Sequence, residues 1–333
     1  RGHFASACRW VEFIRGTNPN LLWLQSRGND YGDWLNGDTL VLQGYPRGQS
    51  EVPKEVLATA FFAHSAELVA KMAKVLDQAE AAAKYTQLHE EIRSAFNRAY
   101  VGPDGKIKGD TQAGYAVALA FNLLDEPLRP KAVEHLLAAI ARYRGHLSTG
   151  IQTTHRAMLE LSRNGQHEEA CRLVCLRSVP SWGYMIDQGA TTIWERWDGY
   201  VRGRGFQNPG MNSFNHWAFG AVGEWLWHEL AGIQPDEQAP GFRHFTIRPR
   251  PGAGVTWLNS RYDSIRGTIE SRWKCDGDRF TLDVTVPPGT TATIYVPAKS
   301  TDTVTVDGSP PAQAQGVKVL RTEAEAAVLE VES

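Results

Sequence analysis

Pro53-Lys-Glu-Val-Leu-Ala-Thr-Ala-Phe-Phe-Ala-His-Ser-Ala-Glu-Leu-Val-Ala-Lys-Met-Ala-Lys-Val75 is the stretch from which the fold is read. Pro53 suits the first turn of a helix, where its missing N–H costs nothing. Leu57, Phe61, His64, Leu68, Met72 and Val75 then recur every three or four residues, which predicts a long, half-buried helix. Residues 80–101 repeat the period with Tyr85, Leu88, Ile92, Phe96 and Tyr100 and stop at Pro103-Asp104-Gly105. The pair reads as a helical hairpin. His64 lies on the apolar stripe and is expected to be a hydrogen-bonded core histidine rather than a ligand.

Working outward, the same reading repeats. Residues 3–15 form a helical pattern with Phe4, Ala7, Cys8, Val11 and Ile14 on one face. A helix capped by Asp110 or Thr111 runs to Leu124, and Pro130 opens another through Ile140, a second hairpin. A third is expected from Thr153–Arg163 and His167–Arg177, split at Asn164-Gly165, with a final long helix over Asn212–Ala231. The connectors alternate in length, and acids and aromatics collect in the longer ones. Helical hairpins arranged this way suggest an α/α toroid with a site at its mouth. About eight helices are expected where six hairpins need twelve, so the toroid is open or the chain is part of a longer one.

After Pro235 the period changes to two. Ile269, Ser271 and Trp273 alternate with Glu270, Arg272 and Lys274, Asp276-Gly277-Asp278 turns the chain, and Phe280, Leu282, Val284 and Val286 continue the apolar face. Further strands are expected at Thr293–Val296, Thr303–Val306, Val317–Leu320 and Val328–Val331. The chain is therefore read as a helical domain over residues 1–235 and an antiparallel β-sandwich over 236–333, the latter structural, with sugar binding as its alternative role.

Composition narrows the function. The 333 residues carry a net charge of −2, with no basic run, which gives no footprint for nucleic acid or an anionic membrane surface. No apolar run approaches the roughly 18 residues of a membrane span, and the N-terminus reads as a helix entered part-way. Four cysteines are too few and too scattered for a zinc set, so Cys171 and Cys175 are expected to be core thiols; no metal or cofactor is expected. Eleven tryptophans are many, and Trp23, Trp34, Trp182, Trp194 and Trp197 stand in polar or Gly-rich contexts. That distribution favours an aromatic-lined cleft.

Two segments carry the chemistry. In Gly189-Ala-Thr-Thr-Ile-Trp-Glu195-Arg-Trp-Asp198-Gly-Tyr200, a carboxylate stands between two indoles. Indole faces suit the C–H faces of a pyranose, and an apolar setting would move the Glu195 pKa toward the working range of a general base or acid. The competing reading is a Glu-Arg salt bridge with Trp194 and Trp197 filling the core. Asn29-Asp30-Tyr31-Gly32-Asp33-Trp34, inside a long loop from Gly16 to Pro53, interleaves acids and aromatics in the same way and also makes a good turn.

Tyr31-Gly-Asp-Trp34, Pro180 to Asp198, Met211 to Trp225 and Phe245-Thr-Ile-Arg-Pro-Arg-Pro251 together resemble bacterial α-L-rhamnosidases of glycoside hydrolase family 78. The resemblance is collinear over essentially the whole chain. It implies an inverting exo-glycosidase that removes terminal α-L-rhamnose, with an (α/α)6 barrel followed by a β-sandwich. Carried over residue by residue, it makes Glu195 the general base, His216 a hydrogen-bond partner of sugar hydroxyls and Trp34 an aromatic wall of the rhamnose subsite. Asp33 becomes a hydroxyl contact, and Trp194, Trp197 and Arg196 become lining or supporting residues. One motif is missing: the family carries its general acid in an Asp-Glu-Arg-Leu-Gly-Trp-type segment upstream of the Gly-Asp-Trp loop, and none stands here. Inversion needs two carboxyl groups roughly 6.5–9.5 Å apart. The missing N-terminal portion of the same enzyme is thus an expected partner, and this chain alone is expected to hydrolyse rhamnosides poorly. Asp30, Asp33 and Asp198 are substitute acids that nothing singles out. Another α/α-toroid glycosidase, glucoamylase-like or trehalase-like, and a non-catalytic sugar-binding protein remain as alternatives. Family analogy implies a periplasmic or secreted enzyme.

Overall fold

The computed structural model describes residues 2–25, 32–37, 40, 52–323 and 325–333. The chain divides into two compact units, Arg1–Gly165 with Leu173–Gly220, and Gln166–Arg172 with Ala221–Ser333.

The first unit is built from helical pairs. Helices α1 (Phe4–Thr17), α2 (Lys54–Val75), α3 (Ala79–Tyr100), α4 (Gln112–Ala120), α5 (Arg129–Arg142) and α6 (Thr154–Arg163) follow one another, and α2 packs on α3 and α4 on α5. The Thr111 side chain caps α4 by accepting the Gly114 N–H, one of the two caps expected. His64 is partly buried, hydrogen-bonded from Nδ1 to Glu67 at 3.1 Å and stacked on Phe121.

The expected stripe on α2 is buried only in its first half, where Leu57 is enclosed and Phe61 and His64 are partly so. Leu68, Met72 and Val75 are exposed, whereas Val56, Ala60, Phe62, Ala63, Ala66, Val69, Ala70 and Ala73 are buried. Small side chains let the backbone of α3 come close, and the contact made over that alanine face wins over the larger residues. The same alanines make α2 apolar enough to pass for a membrane span, yet 61% of its most apolar window is buried inside the protein.

Further expectations change. Asn212–Ala231 is not one helix: residues 212–217 are irregular, and the helical run begins with a 3-10 turn at Ala218–Val222 and ends in a π-turn at Leu226–Leu230. Asn212, Ser213 and Asn215 compete for backbone partners with their side chains and disfavour the first turns. Helices α6 and α7 (His167–Val174) stand where the third pair is expected, α7 ending three residues early, and residues 166–172 belong to the second unit, where His167 Nε2 meets the Arg250 carbonyl at 2.7 Å. Cys171 is buried there as expected, but Cys175 is exposed. The 180–184 connector holds a short helix, α8 (Trp182–Asp187), capped by Ser181, and a two-residue hairpin of β1 (Tyr200–Val201) with β2 (Gly205–Phe206) follows.

The second unit is a β-sandwich. Strands β5 (Trp257–Ser264), β6 (Gly267–Asp276) and β7 (Arg279–Thr285) form one antiparallel sheet. Strands β3 (Ile233–Pro235), β4 (His244–Ile247), β8 (Thr291–Pro297), β9 (Val317–Glu323) and β10 (Ala326–Glu332) form the other in the order β3-β4-β8-β10-β9. Its one parallel pair is β4 with β8. Ile233, Phe245, Ile247, Ile269, Ala292 and Ile294 fill the space between the sheets, so alternation along each strand does place one face inward. The strand expected at Thr303–Val306 is instead a 3-10 turn at Thr301–Thr303, capped by Ser300, followed by a bridge from Val306 to Ser309.

Candidate active site

The site lies in the first unit, where four connecting segments are tied together. Gly37 N–H donates to the Ser148 carbonyl at 2.6 Å, and Tyr143 Oη donates to the Gly37 carbonyl. Trp34 N–H donates to Gln152 Oε1 at 2.7 Å, and its carbonyl accepts from Ile151 N–H at 2.9 Å. Gly150 is needed at this crossing, because a Cβ there would collide with the Asp33 and Trp34 carbonyls.

Asp33 clamps this crossing rather than facing outward. Its buried carboxylate accepts from Gly150 N–H at 2.5 Å, from Gln152 N–H at 3.1 Å and from Thr153 Oγ1. Removal from water pushes its pKa up to about 6, against the pull of the three donors. Its folded value thus exceeds the ordinary 3.8, so the stability it contributes is complete below about pH 4 and is lost as pH rises through about 6. In D33N one N–H of the loop must face the new amide whichever way it turns, whereas the acid form of Asp33 can be satisfied because the Thr153 hydroxyl rotates. We expect D33N to cost about 2 kcal/mol at pH 5 and less at pH 7.5. Denaturant titrations of both proteins at the two pH values test this, and a penalty that grows with pH would contradict it.

Trp34, carried on the clamped loop, keeps 40% of its surface exposed. The other two expected indoles face inward. Trp197 is 1% exposed, stands edge-on to Trp182 with centroids 5.1 Å apart, lies 4.0 Å from Phe219 and donates Nε1–H to the Thr149 carbonyl at 3.2 Å. Trp194 is buried against Phe214. Both rings that were to flank Glu195 as exposed faces are therefore packing groups, because each finds aromatic neighbours on its own side of the segment.

Between them Glu195 remains half-buried. The segment 192–195 runs alongside 213–216: Glu195 N–H donates to the Ser213 carbonyl at 2.9 Å, Ser213 N–H returns to Glu195 Oε2 at 2.8 Å, and His216 N–H donates to the Ile193 carbonyl at 2.9 Å. Arg196 does not salt-bridge Glu195. It pairs with Asp198 at 2.8 Å, whose second oxygen accepts from Gln207 Nε2 at 2.8 Å. Asp198 is buried and engaged on both oxygens, which removes it as a substitute acid. Asp33 is occupied likewise, and Asp30 lies outside the described residues, as does Tyr31. Ala218 N–H donates to His216 Nδ1 at 3.2 Å, so the neutral ring carries its hydrogen on Nε2. A carboxylate, a ring N–H and an exposed indole thus share one loop cluster. Gln152, Thr153, Ser213 and Gln207, which hold it, carry no local motif; their partners lie from nine to more than a hundred residues away.

Helical hairpins whose connectors gather such groups are the layout of the six-hairpin glycosidases. A model described as the bacterial alpha-L-rhamnosidase 6 hairpin glycosidase domain matches residues 1–230, and one described as the bacterial alpha-L-rhamnosidase C-terminal domain matches residues 232–309. The chain belongs to the bacterial α-L-rhamnosidase family, glycoside hydrolase family 78. It is 44% identical over 295 residues to an α-L-rhamnosidase of Streptomyces avermitilis, covering 89% of this chain and 27% of that one. It is 35% identical over 320 residues to one of Formosa agariphila, covering 95% and 33%. The chain thus spans about a third or less of these relatives' length. Among solved structures, the Streptomyces avermitilis α-L-rhamnosidase complexed with L-rhamnose superposes with a TM-score of 0.85 at 41% identity, over 99% of this chain and 30% of that one. The Aspergillus terreus enzyme superposes with a TM-score of 0.79 at 30% identity, over 90% and 34%.

Proposed function

We propose that this chain is the C-terminal part of an enzyme that hydrolyses terminal non-reducing α-L-rhamnose from rhamnosides with inversion. Glu195 is the general base that takes a proton from the attacking water. His216 donates its Nε2–H to a sugar hydroxyl, and Trp34 offers an indole face to the pyranose. Asp33, Trp194, Arg196 and Trp197 hold these three in place. The observation that carries this reading is the Glu195 carboxylate, left unpaired by Arg196 and grouped with an imidazole N–H and an exposed indole. The complex of the Streptomyces avermitilis relative with L-rhamnose supports the choice of sugar.

The general acid comes from the rest of the longer enzyme: the family's acidic segment does not stand in this chain, Asp33 and Asp198 are buried and occupied, and Asp30 lies outside the described residues. Leaving-group chemistry tests this. Dinitrophenolate departs without a proton, whereas an alkoxide does not. The 333-residue chain alone is expected to turn over dinitrophenyl α-L-rhamnoside, releasing β-L-rhamnose first by NMR, and to hydrolyse methyl α-L-rhamnoside at least about 100-fold more slowly than the longer enzyme does. Equal rates on methyl rhamnoside would show the acid to be within this chain, release of the α-anomer would end the inverting mechanism, and preference for glucosides would favour a glucoamylase-like enzyme.

A further inference from the structure

The second unit carries a feature that its structural role does not explain. Along β5, β6 and β7 the register is regular, so the outward side chains stand in rows: Trp257 beside Lys274 and then Thr281, Asn259 beside Arg272 and then Asp283, and Arg261 beside Glu270 and then Thr285. The inner positions of this sheet are apolar except for Ser260 and Ser271, whose hydroxyls are donated to the Ser271 and Ala231 carbonyls, and include Trp273, which is 3% exposed with its Nε1–H donated to the Leu230 carbonyl at 2.8 Å. Trp257 has the opposite setting. It stands on the outer, polar face with 67% of its surface exposed.

The neighbours of Trp257 limit what can cover it. Arg261 pairs with Asp263 at 3.2 Å, Arg272 with Glu270 at 2.5 Å, and Lys274 with Asp276 at 3.9 Å. These charges cancel within the face, so it has no field to draw a polyanion or an anionic lipid. A protein partner fits poorly, because the one apolar group on this face is a single ring bordered by lysine, arginine and aspartate, and Lys and Asp are depleted at the centres of protein interfaces. A flat, uncharged ligand with one apolar face and a hydroxyl rim fits well. The indole takes the C–H face, while Asn259, Thr281 and Asp283 supply an amide, a hydroxyl and a carboxylate for the rim.

We propose that the outer face of the β5–β7 sheet is a non-catalytic binding site for neutral glycan chains, centred on Trp257. It goes beyond the hydrolytic reading and does not depend on Glu195. Native affinity electrophoresis of the full chain tests it, with gels containing xyloglucan, galactomannan, arabinan or a rhamnose-branched arabinogalactan, and polysaccharide-free gels for reference. At least one polysaccharide should retard the wild-type chain and the E195Q variant equally. W257A should lose at least about five-fold in affinity and W257Y should keep most of it, with unchanged melting temperatures because the residue is exposed. Absence of retardation by every polysaccharide, or retardation of W257A equal to wild type, overturns the proposal. Retardation lost in E195Q but kept in W257A overturns it too and assigns the binding to the Glu195 loops.

Discussion

E195Q is expected to lower kcat for α-L-rhamnosides by about 1,000-fold or more, with KM changed by less than about three-fold. Gln keeps the shape of Glu195, and its carbonyl can still accept the Ser213 N–H that now meets Oε2 at 2.8 Å, so the paired segments 192–195 and 213–216 should stay as they are. What is lost is the ability to take a proton from water. That loss belongs to the transition state, which is why it appears in kcat. Because Arg196 is committed to Asp198, neutralising position 195 strands no buried cation, and E195Q should unfold at the same denaturant concentration as wild type. E195A adds a second readout. Azide needs no base, so it should restore turnover of an activated aryl rhamnoside and yield the β-rhamnosyl azide. A fall of less than about ten-fold in E195Q, or no azide product from E195A, would remove Glu195 from the role of base.

The helices and the sandwich are legible in the sequence because their periods are local: stripes at 3.6 residues and alternation at two persist over long segments. The buried face of α2 is not legible, because hydropathy ranks Leu68 and Met72 above Ala63 and Ala66, while packing between helices rewards the alanines. The Asn212–His216 segment is misread as helix for a related reason. Its Phe and Trp spacing imitates a helical face, but its backbone groups are taken up by residues 192–195, about twenty positions away. Within the site, Glu195, His216 and Trp34 stand out through residue type and neighbours. The duty of Asp33 could not be read, since its three donors lie well over a hundred residues downstream. Composition likewise cannot tell an exposed indole, such as Trp34, from an enclosed one, such as Trp197.

Trp197 is the residue where that difference has the largest consequence for stability. W197A is expected to cost about 4 kcal/mol. The ring is fully enclosed, its removal leaves a cavity between Trp182 and Phe219, and the Thr149 carbonyl loses its donor. W197F separates these contributions: it keeps much of the aromatic contact and loses the N–H, and about 1–2 kcal/mol is expected. The exposed Trp34 sets the contrast, since W34A should move the unfolding midpoint little while weakening rhamnoside binding. Activity adds a further test of what Trp197 does. It stands two residues from Glu195 and anchors that segment to Thr149, next to the Gly150 crossing that carries Trp34. Turnover by W197F should therefore fall more than its stability loss accounts for when measured well below its melting temperature, because a base displaced by about an ångström from its water can lose two orders of magnitude in rate. Full wild-type turnover by a correctly folded W197F would mean that the Trp197 N–H contact only stabilises the fold, and that the position of Glu195 is fixed by its pairing with Ser213 alone.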